Sequence, residues 1–155
     1  MVVLYHTGCA MVVTTDYPFS SHLVTYLHNL FQNGAPTLSG LVEMFHERRR
    51  RGEIEVSEDL TFVMITGDGG MDIGMGPTIG TALRNHQMII LEYDHQGSMN
   101  TGGQLSYPTP MGRAPSTSHS GKSFHHKDTV AIMAATGIPY VFTGIEGYGT
   151  DLIEK

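Results

Sequence analysis

The sequence predicts an α/β fold, a three-layer arrangement in which a parallel sheet carries helices on both faces. Three observations predict it. Short apolar runs alternate along the chain with longer segments of helical period. Two of those runs, Leu60–Thr66 and Gln87–Asp94, are largely apolar, as expected of central strands covered on both faces. The glycines, nineteen in 155 residues, cluster in the middle third without forming a low-complexity tract, which suits a backbone that must approach a ligand closely.

The elements follow in order. Met1–Tyr5 is a β-branched apolar run and reads as a buried strand. Thr7-Gly8-Cys9 is a tight turn after it, Ala10–Thr15 enters a short helix or strand, and Tyr17-Pro18 marks a break. His22–Phe31 and Gly34–Arg50 carry helical periodicity; in the second, Leu38, Leu41, Val42 and Phe45 share one face. After the strand Leu60–Thr66, Gly67–Gly70 reads as a turn and Asp72–Asn85 as a helix leading to the strand Gln87–Asp94. His95–Lys122 is a long Gly/Ser/Thr/Pro-rich loop, and a loop of that length in a compact domain is usually functional or disordered. Lys127–Thr136 reads as a helix, Pro139–Thr143 as a further strand, and Thr150 onward as a last helix. Residues 1–155 are thus expected to form a single domain, incomplete at one or both ends. Ligands bind such sheets at the carboxyl ends of the strands, where the loops after Thr66 and after Asp94 begin.

Composition excludes several classes. At 40% hydrophobic the chain can bury a proper core, and a formal charge of −6 argues against nucleic-acid binding. The basic run Arg48–Arg51 is flanked by Glu43, Glu47, Glu53 and Glu55 and reads as a solvated helix end. Cys9 is the only cysteine, so no internal disulfide is possible and a cytoplasmic protein is expected. Neither a membrane-spanning run nor a charged leader followed by an apolar run is seen.

The chemistry begins with Gly67-Asp68-Gly69-Gly70. Glycines after a buried strand free backbone N–H groups to face an anion, and a following helix start adds positive potential. A carboxylate there would repel a phosphate unless a cation lay between, so Asp68 reads as a Mg²⁺ ligand bridged to a diphosphate. On the tetrapeptide alone, a tight turn with Asp68 as helix N-cap is an equal reading. The loop Tyr93–Gly112 supplies a second polar cluster 27 positions downstream, counting from Asp68 to His95, which is room for one helix and one strand back to the same sheet edge.

Asn100-Thr101-Gly102-Gly103-Gln104, followed by Ser106, Thr109-Pro110 and Gly112, resembles the signature of the pyruvate and 2-oxoacid:ferredoxin oxidoreductase family, in its thiamine-diphosphate-binding β subunit. Thr7-Gly8-Cys9, Tyr17-Pro18 and the segment Ile132–Val141 resemble further elements of that subunit in the expected order. The resemblance implies a diphosphate-type thiamine diphosphate domain in which Asp68 coordinates Mg²⁺ and Gly67, Gly69 and Gly70 lie beside the diphosphate. It also implies that the position of His95 provides a second side-chain ligand to Mg²⁺ and the Gly97 carbonyl a third. Asn100 and Thr101 would lie near the thiazolium and the substrate, as the catalytic pair. Thr7, Gly8 and Cys9 would border the cofactor, with Cys9 one of four ligands to a [4Fe–4S] cluster. The implied partners are a 2-oxoacid substrate, coenzyme A, ferredoxin, and other subunits that carry the pyrimidine-binding domain and its carboxylate.

Three departures stand out. Relatives carry Asn or Thr where this chain has His95, a nitrogen donor facing a hard cation, and a bulky Tyr where it has Ser98. The other cluster cysteines, an upstream pair and one well downstream, are missing. A non-oxidative thiamine diphosphate decarboxylase or synthase domain, or a diverged non-catalytic domain that binds a partner, are the competing readings. His119, His125 and His126 fit no zinc spacing and read as loop or helix-capping residues, whereas His6, beside the Thr7–Cys9 turn, could face the cofactor. Met64, Met71, Met75 and Met88 read as core and helix-face packing, and no Ser-His-Asp or Cys-His set is evident.

Overall fold

The computed structural model describes residues 1–18, 22–56 and 58–155. Among them the elements run β1 (Val2–His6), α1 (Cys9–Thr15), β2 (Thr25–Asn29), α2 (Gly34–Arg50), β3 (Phe62–Gly67), α3 (Asp68–Arg84), β4 (Ile89–Tyr93), α4 (Thr129–Ala134) and α5 (Gly149–Glu154). The four strands form one parallel sheet in the order β2-β1-β3-β4. The chain moves one way from β1 to β2 and the other way from β2 to β3 and β4. Right-handed crossovers therefore put α1 on one face and α2 and α3 on the other.

The core lies under α2. Ala35, Leu38 and Val42 project from one helical face onto Leu4 of β1 and Phe62 and Met64 of β3, all nearly or fully buried. Burying each large apolar side chain contributes roughly 1.5–3 kcal/mol. Met64 and Met71 are buried and Met88 packs at the core's edge, as the sequence suggested. The basic run ends α2 in solvent, where Arg50 and Arg51 pair with Glu47 and Arg48 with Glu53. On the opposite face α1 leaves much of the sheet open, and Ile89, Leu91 and Tyr93 of β4 are exposed. No helix among the described residues is long and apolar enough to cross a membrane.

Two expectations are overturned. His22–Phe31 is not helical. Its centre forms β2, paired with β1 from Val2↔Thr25 to His6↔Asn29. The apolar residues of that run suit either period, and the ladder offered by β1 outweighs a helix too short to stand alone. Pro139–Thr143 does not join the sheet. Pro139 lacks a ladder donor, and the segment folds back on α5, where the Tyr140 hydroxyl donates to Lys155 O at 3.0 Å and Lys155 Nζ to Thr143 O at 3.0 Å. Two boundaries also sharpen. Residues 9–15 are a helix, and Gly67–Gly70 is no turn, because α3 starts directly at Asp68.

Candidate functional site

The strand order reverses between β1 and β3, and their carboxyl ends open the crevice where such sheets bind ligands. Two glycine backbones meet there: a Cβ added to Gly8 would lie 3.8 Å from the Gly67 amide nitrogen. Gly67 is the N-cap of the seventeen-residue α3, and no side chain caps that helix. Its first N–H groups and the positive end of its dipole are thus available to an anion at the crevice.

Asp68, the first residue of α3, is only 2% exposed. Its Oδ1 accepts the His95 amide at 3.0 Å, and its Oδ2 accepts the Gly97 amide at 2.8 Å and the Ser106 hydroxyl at 2.9 Å. An ionised carboxylate offers about four lone pairs, so three protein donors leave one on Oδ1. The Gly97 carbonyl accepts no hydrogen bond among the described residues. A buried anion with one open lone pair, next to an open carbonyl oxygen, is a donor set that fits Mg²⁺. The His95 ring is stacked on Tyr93, with centroids 5.9 Å apart, and its Nδ1 stands 3.6 Å from Asp68 Oδ1. The second side-chain position of the expected set therefore holds nitrogen rather than oxygen. Nearby burial raises the Asp94 carboxyl above its ordinary value, and the charge of Asp68 adds to the effect.

The remaining expected residues gather at the same edge. Thr7 Oγ1 bonds Asn29 O at 3.3 Å and His28 Nε2 at 3.1 Å. Cys9 opens α1 half-buried, and Asn100 Nδ2 donates to its carbonyl at 3.4 Å, so the Asn100 loop arches over the Thr7–Cys9 segment. Gly69 faces Ser98 and Phe31. Thr101 differs, because its hydroxyl is turned into its own loop, toward Ser98 O and the Gln104 side chain. No group of three or more His, Cys, Asp or Glu side chains is placed to hold a metal among the described residues, and His119, His125 and His126 are exposed.

Residues 6–154 match the family model for the thiamine pyrophosphate enzyme, C-terminal TPP-binding domain. The chain belongs to that family. Its sequence is 41% identical to the pyruvate synthase subunit PorB of Methanothermobacter marburgensis, over 99% of this chain and 53% of that protein. It is 37% identical to the PorB of Methanocaldococcus jannaschii, over 99% of this chain and 54% of the other. The ketoisovalerate oxidoreductase subunit VorB of Pyrococcus horikoshii is 28% identical over 99% of this chain and 51% of its own length. The chain thus spans about half the length of the curated relatives it matches. Its fold matches a 2-oxoglutarate:ferredoxin oxidoreductase from Magnetococcus marinus with a TM-score of 0.69, at 20% identity, over 90% of this chain and 42% of that one. The kinship expected from the Asn100–Gln104 motif, with β subunits of 2-oxoacid:ferredoxin oxidoreductases, is borne out.

Within this TPP-binding domain, several buried groups escaped sequence reasoning. His6 does not face the crevice. It is 1% exposed, its Nδ1 bonds Thr66 Oγ1 at 2.9 Å, and its Nε2 accepts the Gly34 amide at 2.9 Å. That acceptance fixes the proton on Nδ1, and burial lowers its pKa to about 4, with His28 adding to the shift. Lys127 ties Asp72 of α3 to Glu92 of β4, at 2.6 and 3.2 Å, and clamps the end of the long loop to the sheet. The α2–α3 groove also brings together Ser39, His86 and Glu43, with His86 between the other two. Ser39 lies inside α2, where the backbone N–H groups are held in the helix and cannot form an oxyanion hole, so the trio is a structural link. The distance between these residues along the chain hides all three groupings from a linear reading.

Proposed function

We propose that this domain supplies the Mg²⁺–diphosphate half of a thiamine diphosphate site in a 2-oxoacid:ferredoxin oxidoreductase, one part of a longer or multi-chain subunit assembly in the cytoplasm. The observation that carries the reading is the buried Asp68 carboxylate. It keeps one lone pair open at the uncapped start of α3, beside the open Gly97 carbonyl. The relatives, pyruvate synthase and ketoisovalerate oxidoreductase subunits, support a pyruvate-like or branched 2-oxoacid and favour the oxidative reading over a non-oxidative synthase.

When bound, thiamine diphosphate supplies an electron sink for the loss of CO₂. The chain's own residues do the rest by position. Gly67, Gly69 and Gly70 would let the backbone approach the diphosphate. Asp68 and the Gly97 carbonyl would hold Mg²⁺, with His95 beside them. Asn100, carried by the loop over the crevice, would face the substrate side, while Thr101, its hydroxyl turned into the loop, would hold that loop in shape. Thr7, Gly8 and Cys9 would line the opposite rim. Cys9 would contribute one thiolate of a [4Fe–4S] cluster, the other three coming from residues outside this sequence. Coenzyme A and ferredoxin would meet the assembled enzyme rather than this domain alone.

The test is titration calorimetry of thiamine diphosphate with Mg²⁺ and again in chelator. Binding that requires the cation is the expected result, and equal binding in chelator overturns the metal role.

A further inference from the structure

Lys122 is 2% exposed, yet among the described residues it forms no ion pair. Its three ammonium protons go to backbone carbonyls instead: Ser106 O at 3.1 Å, Thr109 O at 2.6 Å, and Tyr107 O. The ammonium also sits 4.6 Å from the centroid of the Phe124 ring. Every donor is satisfied, but stripping water from an ammonium is costly, and an apolar residue would fill the same space without that cost. The carbonyls explain its presence. Three of them converge on one point. Ser106 O and Tyr107 O each also accept a backbone amide, from Thr109 at 3.2 Å and from Lys127 at 2.9 Å, whereas among the described residues Thr109 O has only the ammonium. Without a cation the three oxygens would face one another with no donor between them.

Those carbonyls belong to a turn whose other side meets the candidate metal site. The Ser106 hydroxyl donates to Asp68 Oδ2 at 2.9 Å. The Thr109 hydroxyl donates to Gln96 O at 2.8 Å and accepts the Ser106 amide at 2.9 Å. Gln96 stands between His95 and Gly97, whose amides bind the same carboxylate. The turn is therefore clamped between Lys122 on one side and Asp68 with its loop on the other. Lys122 is itself tied in place, its amide donating to Arg113 O at 3.1 Å and its carbonyl accepting the Gly112 amide at 2.8 Å.

We propose that Lys122 is the positioning residue of the metal-binding loop: by gathering the carbonyls of Ser106, Tyr107 and Thr109 it holds the Ser106 hydroxyl on Asp68, and so aims the open lone pair of that carboxylate. This rests on the functional reading above. The Lys122 ammonium bonds none of the groups assigned to the metal, Asp68, His95 or Gly97, and acts through Ser106. Partners that orient a metal ligand typically change metal affinity about 10–100-fold when removed.

The test uses the protein in its native assembly, with Mn²⁺ as a paramagnetic probe of thiamine diphosphate-dependent metal binding. Lys122→Met and Ser106→Ala should each weaken Mn²⁺ binding about 10–100-fold. The double variant should be no weaker than the weaker single one, because both changes break one chain of contacts. In Lys122→Ala, added n-propylammonium should restore binding by refilling the carbonyl cage. Should Lys122→Met fail to fold, the n-propylammonium rescue of Lys122→Ala decides: restored binding supports the role of Lys122, and a loss that the ammonium does not restore overturns it. Unchanged Mn²⁺ binding in Ser106→Ala or Lys122→Met, or independent losses that add in the double variant, overturns the role of Lys122 while leaving the functional reading intact. A wild-type protein with no cofactor-dependent Mn²⁺ binding overturns the functional reading itself, and this proposal with it.

Discussion

Asp68 Oδ2 accepts the Gly97 amide at 2.8 Å, across 29 positions of sequence. One side chain at the start of α3 therefore both closes the long loop onto the sheet and presents the anion that a metal needs. The two roles separate under mutation. Asp68→Ala strands the His95 and Gly97 amides at roughly 1–3 kcal/mol each and removes the ligand, so both melting temperature and Mg²⁺-dependent thiamine diphosphate binding should fall. Asp68→Asn keeps the shape and one acceptor oxygen, while its NH2 group faces the other amide. It should recover only part of the stability and none of the metal-dependent binding, measured by thermal unfolding and calorimetry on the same samples.

His95 is the odd ligand position. Its ring lies flat on Tyr93 with Nδ1 3.6 Å from Asp68 Oδ1. Mg²⁺ prefers oxygen, so His95→Asn should tighten Mg²⁺-dependent cofactor binding. The measurement is a Mg²⁺ titration of the variant against wild type. A marked loss would mean that the imidazole has its own part, with a softer metal such as Mn²⁺ the first to try.

Much of this was legible in the sequence, for physical reasons that can be named. The runs around Leu4, Met64 and Ile90 are apolar enough to specify strands without help from neighbours, and the spacing of Leu38, Leu41, Val42 and Phe45 specifies one helical face. The Gly67–Gly70 and Asn100–Gln104 motifs marked the strand-to-helix junction and the loop that the topology brings to one sheet edge. Residues 22–31 were misread because Thr25–Asn29 owe their extended form to the β1 ladder, a non-local partner. The inward-turned Thr101 and the buried His6 and Lys122 were invisible for a related reason. Their partners lie in the folded loop or, for His6 and Thr66, 60 positions away.

His6 gives a pH dependence with a defined sign. Its pKa falls from an ordinary 6.5 to about 4 in the folded chain, mainly because burial disfavours the charged ring. The unfolded chain then binds a proton between those values that the folded chain does not. The stability contribution is complete above about pH 6.5 and is lost as pH falls toward 4, by up to about 3 kcal/mol. Urea unfolding between pH 4 and 8 should show this loss, and His6→Gln should flatten that part of the profile. An unchanged profile in the variant would remove His6 as its cause.

The glycines of the two helices make a matched pair of tests. A Cβ on Gly70 would lie 2.5 Å from Thr66 Oγ1 and 2.9 Å from His6 Nδ1, whereas one on Gly40 meets nothing within 4 Å. Gly70→Ala should therefore cost about 1–3 kcal/mol by overpacking. Gly40→Ala, in the exposed interior of α2, should stabilise by about 0.5–1 kcal/mol through backbone entropy. Urea midpoints on the isolated chain check both. A neutral Gly70→Ala would mean that the His6–Thr66 pocket is looser than described.

The chain by itself should decarboxylate no 2-oxoacid. Thiamine chemistry needs a carboxylate, usually Glu, hydrogen-bonded to the aminopyrimidine, so that the amino group can take the thiazolium proton. The family resemblance assigns that Glu to a second α/β domain facing the diphosphate domain. The carboxylates gathered at this site are otherwise engaged. Asp68 is held by the His95 and Gly97 amides and the Ser106 hydroxyl, and Asp72 and Glu92 are paired with Lys127. Electron transfer needs a cluster with about four thiolates, and Cys9 is the only cysteine present. The surface agrees with a partner that completes the site. Met99, Tyr107 and Met111 of the long loop and Ile89, Leu91 and Tyr93 of β4 expose apolar area of the kind that protein interfaces cover. The assay combines the purified chain with thiamine diphosphate, Mg²⁺, a panel of 2-oxoacids and an artificial electron acceptor. No turnover above a protein-free control is expected, although cofactor binding should persist. Turnover would place the missing carboxylate within these 155 residues and end the division of labour between chains.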